Sequence, residues 1–318
     1  MLLDPQVYAF YEKSIESRGF MPPALDFSEM RKAADAAFND KTQILPVYRW
    51  EDVKTEEGLR LRVYTPHRGL DPEKGRKLPG GNPVLMYFHG GGFIMHNVES
   101  HDALCRKLAV TLGACVVSVD YRLAPEHPYP AAVEDAEKAW RWIRESAAAR
   151  DWDPQRIYAG GDSAGATISA ALALKLRDRG EENLKGLLLL YGSYHAAEVM
   201  ETESGRAFTG GDYVLPREML EYCEKLHEGE DTDPMDPYYA PGRETRWEGF
   251  PPCVMVHAGC DPLRDDGKAF GKLLRDAGVP VQEITAEGMM HGFALYWWRF
   301  RRAEEILLEA CRALISLG

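Results

Sequence analysis

No run of apolar residues in this 318-residue chain approaches the roughly 20 that a membrane-spanning helix needs; the longest, Leu187 to Leu190 with its flanks, is far shorter. Positive charge is scarce as well. Lys and Arg number 38 against 50 Asp and Glu, a net charge of −12, and no basic cluster stands out. A nucleic-acid partner or an anionic membrane surface is therefore not expected, because either one needs clustered Lys and Arg to neutralise phosphate. Six cysteines (Cys105, Cys115, Cys223, Cys253, Cys260, Cys311) are scattered, with no C-x-x-C pair and no His-rich partner segment. That argues against a metal site and reads as reduced, mostly buried thiols. The opening residues, MLLDPQVYAFYEK, lack a basic stretch, and Asp4 and Pro5 precede any apolar run. No secretory signal is expected there, and the cytoplasm is the expected compartment. Internal repeats and low-complexity tracts are absent too.

What the chain does have is apolar residues enough, 45%, for a sizeable core. The length suits one large α/β domain with an appendage. Residues Asp4–Glu16 and Ser28–Phe38 read as amphipathic helices, with Ser28 as an N-cap. Strands are predicted at Ile44–Val53 and Leu59–Thr65. A Pro/Gly/Lys-rich loop, His67 to Asn82, then leads into a buried strand at Val84–Phe88. Beyond it helices near Ser100–Leu112, Ala131–Ala148 and Ala164–Arg177 alternate with strands at Ala114–Tyr121, Arg156–Ala159 and Leu184–Tyr191. The segment from Tyr194 to about Arg246 breaks this rhythm, being long, polar and in part helical. Strand Cys253–Ala258, helix Asp265–Ala277, strand Val281–Thr285 and a helix near Leu295–Leu317 complete the chain. Such alternation implies a mostly parallel sheet covered by helices on both faces, and the N-terminal and central departures are candidates for a lid.

The residues that carry chemistry follow the strands. Gly161-Asp162-Ser163-Ala164-Gly165 fits G-x-S-x-G between a strand and a helix, where a sharp turn lifts the serine oxygen clear and bulkier residues would collide. His89-Gly90-Gly91-Gly92-Phe93 follows the Val84–Phe88 strand, and consecutive glycines there can aim backbone N–H groups at a developing oxyanion. Gly91, Gly92 and Ala164 are the expected donors. A base must take the serine proton, and a carboxylate must orient it, in the order Ser, Asp or Glu, His. Only His195, His227, His257 and His291 follow Ser163. His257 falls inside an apolar strand and reads as a core residue, while His195 and His227 belong to the irregular segment. His291, between the last strand and last helix, is the expected base. Asp261, after the penultimate strand, is the expected acid; its neighbours Asp265 and Asp266 read as helix N-terminal acids complementing the dipole.

With these motifs the chain resembles the hormone-sensitive lipase-like family, also called bacterial family IV esterases. The matching stretches are HGGGF at His89–Phe93, YRLAPEHPYPAA at Tyr121–Ala132, GDSAG at Gly161–Gly165, DPLRDDG at Asp261–Gly267 and HGF at His291–Phe293. The resemblance runs from about Ile44 to the C-terminus. It implies an α/β-hydrolase fold, a mostly parallel eight-stranded sheet flanked by helices and topped by a helical cap. It further implies cofactor-free ester hydrolysis and frequent dimers through sheet edges, which leaves a homodimer open, and it supports the same roles for Ser163, Asp261, His291, Gly91, Gly92 and Ala164. The implied organisation is a cap segment over 1–43, a catalytic core over 44–193 and 247–318, and a cap insertion over 194–246. Two departures stand out. His96 occupies a place where the family favours a small residue, often Gly, and Tyr194–Glu230 has no family-typical sequence.

The expected activity is carboxylic ester hydrolysis through an acyl-enzyme on short- to medium-chain esters, a small-molecule partner, with no metal and no organic cofactor. Phe93, His96 and Phe293 are expected around the substrate pocket, and Asp120, Tyr121, Arg122 and Glu126 in holding the Pro-rich turn. Amide, lactone or carbamate hydrolysis stays open, as the triad alone does not separate these. A non-catalytic binding member, like the gibberellin receptors that have lost the histidine, is the remaining alternative, against which His291 counts. Between Tyr194 and Ala240 twelve acids face three bases; this reads as a solvated face, with an anion-repelling rim as the sharper reading.

Overall fold

The computed structural model describes residues 3–17, 27–37, 44–67, 81–181, 184–210 and 213–317. Most of the Pro/Gly/Lys-rich loop, residues 68–80, lies outside them, as do 18–26 and 38–43 of the N-terminal segment and Asp212 of the acidic run. Two helices come first, α1 at Pro5–Ser17 and α2 at Phe27–Ala37. Ser28 therefore sits inside the first turn of α2 and not ahead of it. Next come β1 (Arg49–Lys54), β2 (Arg60–Thr65), β3 (Asn82–Phe88), α3 (Asp102–Leu112), β4 (Cys115–Asp120), α4 (Ala131–Ser146) and β5 (Trp152–Asp162). The chain continues through α5 (Ala164–Asp178), β6 (Leu187–Leu190), α6 (Glu203–Phe208), α7 (Arg217–His227), β7 (Cys253–Cys260), α8 (Arg264–Asp276), β8 (Val281–Met290) and α9 (Arg301–Ser316).

The strands form one eight-stranded sheet in the order β1-β2-β4-β3-β5-β6-β7-β8. Only the β1–β2 and β2–β4 pairs are antiparallel; β3 to β8 run parallel. The apolar runs explain why. β3 and β6 are buried almost throughout, as strands covered on both faces must be, whereas β1 at the edge alternates exposed and half-buried residues. Along β3 the side chains part by turns. Val84, Met86 and Phe88 pack with α4, α5 and α8, while Leu85 and Tyr87 pack with α1, α3 and α9. Pro83, which has no N–H to give the ladder, coincides with a register shift between Asn82 and Val84. Truncating a fully buried side chain such as Leu188 is worth roughly 2–5 kcal/mol.

Several stretches differ from the sequence expectation: β1 begins at Arg49 and not at Ile44, β5 runs over Trp152–Asp162 and not Arg156–Ala159, and the last strand and helix depart further. β8 outruns Thr285 to reach Met290, because Gly288 at φ 75° turns a bulge that restores pairing of Cys260 with Met290. The last helix is also divided: a 3₁₀ turn covers Phe293–Tyr296 and α9 begins only at Arg301. Against that break lies α1, where the Phe10 ring meets Tyr296 and Phe300 edge-on at 5.1 and 5.6 Å. Among the described residues no helix is long and apolar enough to cross a membrane.

Candidate active site

Every side chain singled out for chemistry lies just past the carboxyl end of a parallel strand, where α/β sheets place their ligands. β3 delivers the His89–Phe93 loop, β5 delivers Ser163, β7 Asp261 and β8 His291. Register does the rest. Phe88 pairs with Gly161, which sets the glycine loop beside the serine, and Cys260 pairs with Met290, which sets Asp261 beside His291.

Ser163 sits at φ 53° and ψ −123°, a strained left-handed turn for a residue bearing a side chain. Strain of this sort costs of order 1–3 kcal/mol and persists only where the surroundings enforce it. They do: the Ser163 N–H donates to Leu190 O at 2.8 Å, and α5 starts at the next residue. A Cβ on Gly161 would stand 2.5 Å from Phe88 O, and one on Gly165 would stand 2.0 Å from the same oxygen. Both positions of the motif thus require glycine for packing.

Ser163 Oγ is 2.9 Å from His291 Nε2, and His291 Nδ1 is 2.7 Å from Asp261 Oδ2. Asp261 is fully buried and also accepts the Leu263 N–H at 2.9 Å. Burial pushes the His291 imidazole pKa down, but the Asp261 carboxylate and its hydrogen bond outweigh that and hold it above the usual value. A chain in this order can move the serine proton onto the imidazole while the carboxylate stabilises the resulting cation. Opposite the serine, Gly91 and Gly92 adopt φ 121° and 59°, conformations that favour glycine. Among the described residues the N–H groups of Gly91, Gly92 and Ala164 donate to no other backbone group.

The remaining sequence candidates lie around this centre. Phe93 has φ 64°, and its ring stacks on His227 at 3.6 Å. His96, also left-handed at φ 72°, packs behind Gly91 with its Nδ1 3.7 Å from Asp35 Oδ1. That backbone conformation is the physical reason a glycine would suit the position. Phe293 is 1% exposed and lies against Tyr191, whose ring meets His291 edge-on at 5.0 Å. His257 is buried in β7 with Nε2 3.2 Å from Glu283 and takes no part in the hydrogen bonds that join Ser163, His291 and Asp261. His195 and His227 both lie in the 194–246 segment, where each packs on Tyr239. In the Pro-rich turn Arg122 binds Asp135 and Glu134, the Tyr121 hydroxyl donates to His89 O, Glu126 pairs with Arg31, and Asp120 lies near Arg60.

Several residues that matter here had no sequence signal, or only part of one. Asp162, inside the serine motif, is buried and accepts from Tyr87 Oη at 2.8 Å and from the Gly90 N–H at 3.1 Å, with His101 Nε2 at 3.2 Å from Oδ1. It therefore ties the serine turn to the glycine loop. Burial raises its pKa, yet His101 and the Tyr87 hydroxyl together bring it below the usual carboxylate value. Asp265 and Asp266 do more than complement the dipole of α8. Asp266 accepts the Tyr194 and Ala197 N–H groups at 2.6 and 2.8 Å, and Asp265 accepts that of Ser204 at 2.8 Å. They hold the inserted segment beside Asp261. Its helix α7 lies over the glycine loop: a Cβ on Gly92 would meet Cys223 Sγ at 2.4 Å, one helical turn before His227.

Comparison with known proteins bears on the fold and the activity. Residues 85–295 match the family model described as alpha/beta hydrolase fold. The carboxylesterase NlhH of Mycobacterium tuberculosis is 40% identical over 279 residues, 85% of this chain and 83% of that one. Ethyl acetate hydrolase of Pseudomonas putida is 34% identical over 80% of this chain and 78% of its own. Among solved structures, a hyperthermophilic esterase from the archaeon Pyrobaculum calidifontis superposes with a TM-score of 0.90 at 31% identity, covering 100% of both chains. The chain belongs to the α/β-hydrolase family, in its hormone-sensitive lipase-like branch, and is a carboxylic ester hydrolase.

Proposed function

We propose that Ser163, His291 and Asp261 form the catalytic triad of a carboxylesterase for short- to medium-chain esters. The observation that carries this reading is the unbroken chain from Ser163 Oγ to His291 Nε2 at 2.9 Å and from His291 Nδ1 to Asp261 at 2.7 Å, with the His89–Phe93 loop set beside the serine by strand register. His291 takes the Ser163 proton as Oγ attacks the ester carbonyl carbon. The carbonyl electrons move onto oxygen, and the N–H groups of Gly91, Gly92 and Ala164 stabilise that charge. As the tetrahedral intermediate collapses, the imidazolium gives its proton to the departing alcohol and an acyl-serine remains. Water, deprotonated by the same imidazole, then releases the carboxylic acid.

We assign residues 1–43 and 194–246 to a cap over a core made of 44–193 and 247–318. Cys223 against Gly92 and His227 stacked on Phe93 support a low ceiling above the oxyanion loop, with His96 behind Gly91 and Phe293 behind Tyr191 shaping the walls. The names of the relatives point the same way, since ethyl acetate hydrolase acts on a two-carbon acyl group. A series of p-nitrophenyl esters tests the reading. Acetyl to about hexanoyl esters should give the highest kcat/KM; a better rate on palmitoyl than on butyryl esters would overturn it.

A further inference from the structure

The glycine loop owes its shape to something outside itself. Four of its residues have positive φ, namely Gly91 at 121°, Gly92 at 59°, Phe93 at 64° and His96 at 72°, and two of them carry side chains that disfavour this region. Its own backbone bonds are few: the Ile94 and Met95 N–H groups both reach Gly91 O at 3.1 Å, and Phe93 O accepts the Ala124 N–H at 2.9 Å. A loop so strained keeps its form only where neighbours over-determine it.

Besides Asp162 and α7, the neighbour that does so is α2. Arg31 Nε donates to Ile94 O at 2.7 Å, two residues past Gly92, and Arg31 Nη2 donates to Ala124 O at 2.9 Å in the Pro-rich turn. The outer edge of the same guanidinium forms a two-toothed pair with Glu126, at 2.8 Å for each bond. One planar group therefore spans both the glycine loop and the turn that the loop leans on. One helical turn later Asp35 accepts from Asn97 Nδ2 at 2.7 Å, so α2 holds the loop at its far end as well. The ion pair with Glu126 contributes little by itself, because the Glu126 side chain is 52% exposed. What counts is the fork geometry, which lets one side chain hold two carbonyl groups at a fixed separation.

We propose that Arg31 is a positioning residue for the oxyanion hole, so that the N-terminal helix belongs to the machinery for stabilising the transition state and is more than a cover. The proposal rests on the assignment of Gly91 and Gly92 as oxyanion donors. Misplaced donors weaken only what they touch, the charged oxygen of the tetrahedral intermediate, and not the bound ester. Loss of Arg31 should then lower kcat and leave KM nearly unchanged.

The test compares Arg31→Met and Arg31→Lys with the unaltered protein on p-nitrophenyl butyrate. It adds the inhibition constant of a trifluoromethyl ketone, whose serine adduct carries the oxyanion. We expect kcat to fall about 10- to 100-fold in Arg31→Met with KM within about threefold, and the ketone to weaken by the same factor as kcat/KM. Arg31→Lys keeps the charge but not the fork, and should lose most of that rate. Should Arg31→Met fail to fold, Arg31→Lys alone decides by the same two readouts. Full kcat in a folded variant, or a raised KM with unchanged kcat and unchanged ketone binding, would overturn the proposal. If the ketone fails to inhibit the unaltered protein, the fault lies instead with the assignment of the serine and its oxyanion donors.

Discussion

The serine turn and the glycine loop face one another across the same site, and they are held in opposite ways. The turn is built from within the sheet: Ser163 N–H on Leu190, Gly161 and Gly165 against Phe88 O, and α5 starting at Ala164. The loop is held from outside, by Asp162 beneath, by Arg31 of α2 at its side and by Cys223 and His227 of α7 above. The first arrangement is local and rigid. The second depends on segments far away in the chain, so changes in the cap should reach the chemistry through the oxyanion and not through the nucleophile.

The largest effect should come from the turn. Ser163→Ala should cut kcat by about 10⁴ or more in a protein that melts normally, and His291→Ala should cost a similar factor. Gly165→Ala drives a Cβ to 2.0 Å from Phe88 O, so both strand and turn must move. We expect loss of activity together with a clear fall in Tm, read by thermal denaturation. Full activity at an unchanged Tm would show that the turn is less tightly held than these contacts imply.

Changes above the loop should be smaller and repairable. Gly92→Ala meets Cys223 Sγ at 2.4 Å, and the pair Gly92→Ala with Cys223→Ala should recover part of the lost kcat. A double variant no better than the single one would mean that α7 does not press on Gly92.

Acidity separates the two regions further. The His291 pKa is raised, and the base works only when neutral, so the acid limb of kcat/KM should lie above the ordinary imidazole range and rates should fall as pH drops through it. By linkage this group favours folding below its unfolded pKa, and that contribution is lost as pH rises through the raised folded value. His227 has the opposite sign. Burial, and to a lesser degree His195, lowers its pKa to about 3, so its stabilising contribution holds above about 6.5 and drains away as pH falls. His227→Phe should therefore lose less Tm between pH 6.5 and 4 than the unaltered protein, without moving the acid limb of the rate profile. The smallest catalytic effect belongs to His257→Ala, which breaks a part-buried pair with Glu283 and should cost stability with kcat nearly intact.

The contrast also marks what a reading of the residues alone reaches. The order of strands and helices was legible because each buried strand is a short apolar run, as at Val84–Phe88 and Leu187–Leu190. Ser163, Asp261 and His291, which the structure joins by hydrogen bonds, stood out in the sequence because each has its own local motif at a strand end. The supports of the glycine loop were not. Arg31, Cys223 and His227 stand on polar, exposed-looking helices, and nothing nearby in sequence says which distant carbonyl, glycine or ring they meet. Asp265 and Asp266 looked like dipole partners since their true acceptor role lies with Tyr194, Ala197 and Ser204, some sixty to seventy residues upstream. The end of β8 was missed because Gly288 makes a bulge look like a loop.

The role of Ser163 as the nucleophile activated by His291 is the foundation of the proposed mechanism. It is tested most directly by treating the protein with an alkyl p-nitrophenyl phosphonate, releasing one p-nitrophenol per chain, and mapping the adduct by mass spectrometry. A single phosphonyl group on Ser163, complete loss of esterase activity and no labelling of Ser163→Ala are expected. An adduct on another residue, or activity that survives full labelling of Ser163, would contradict it.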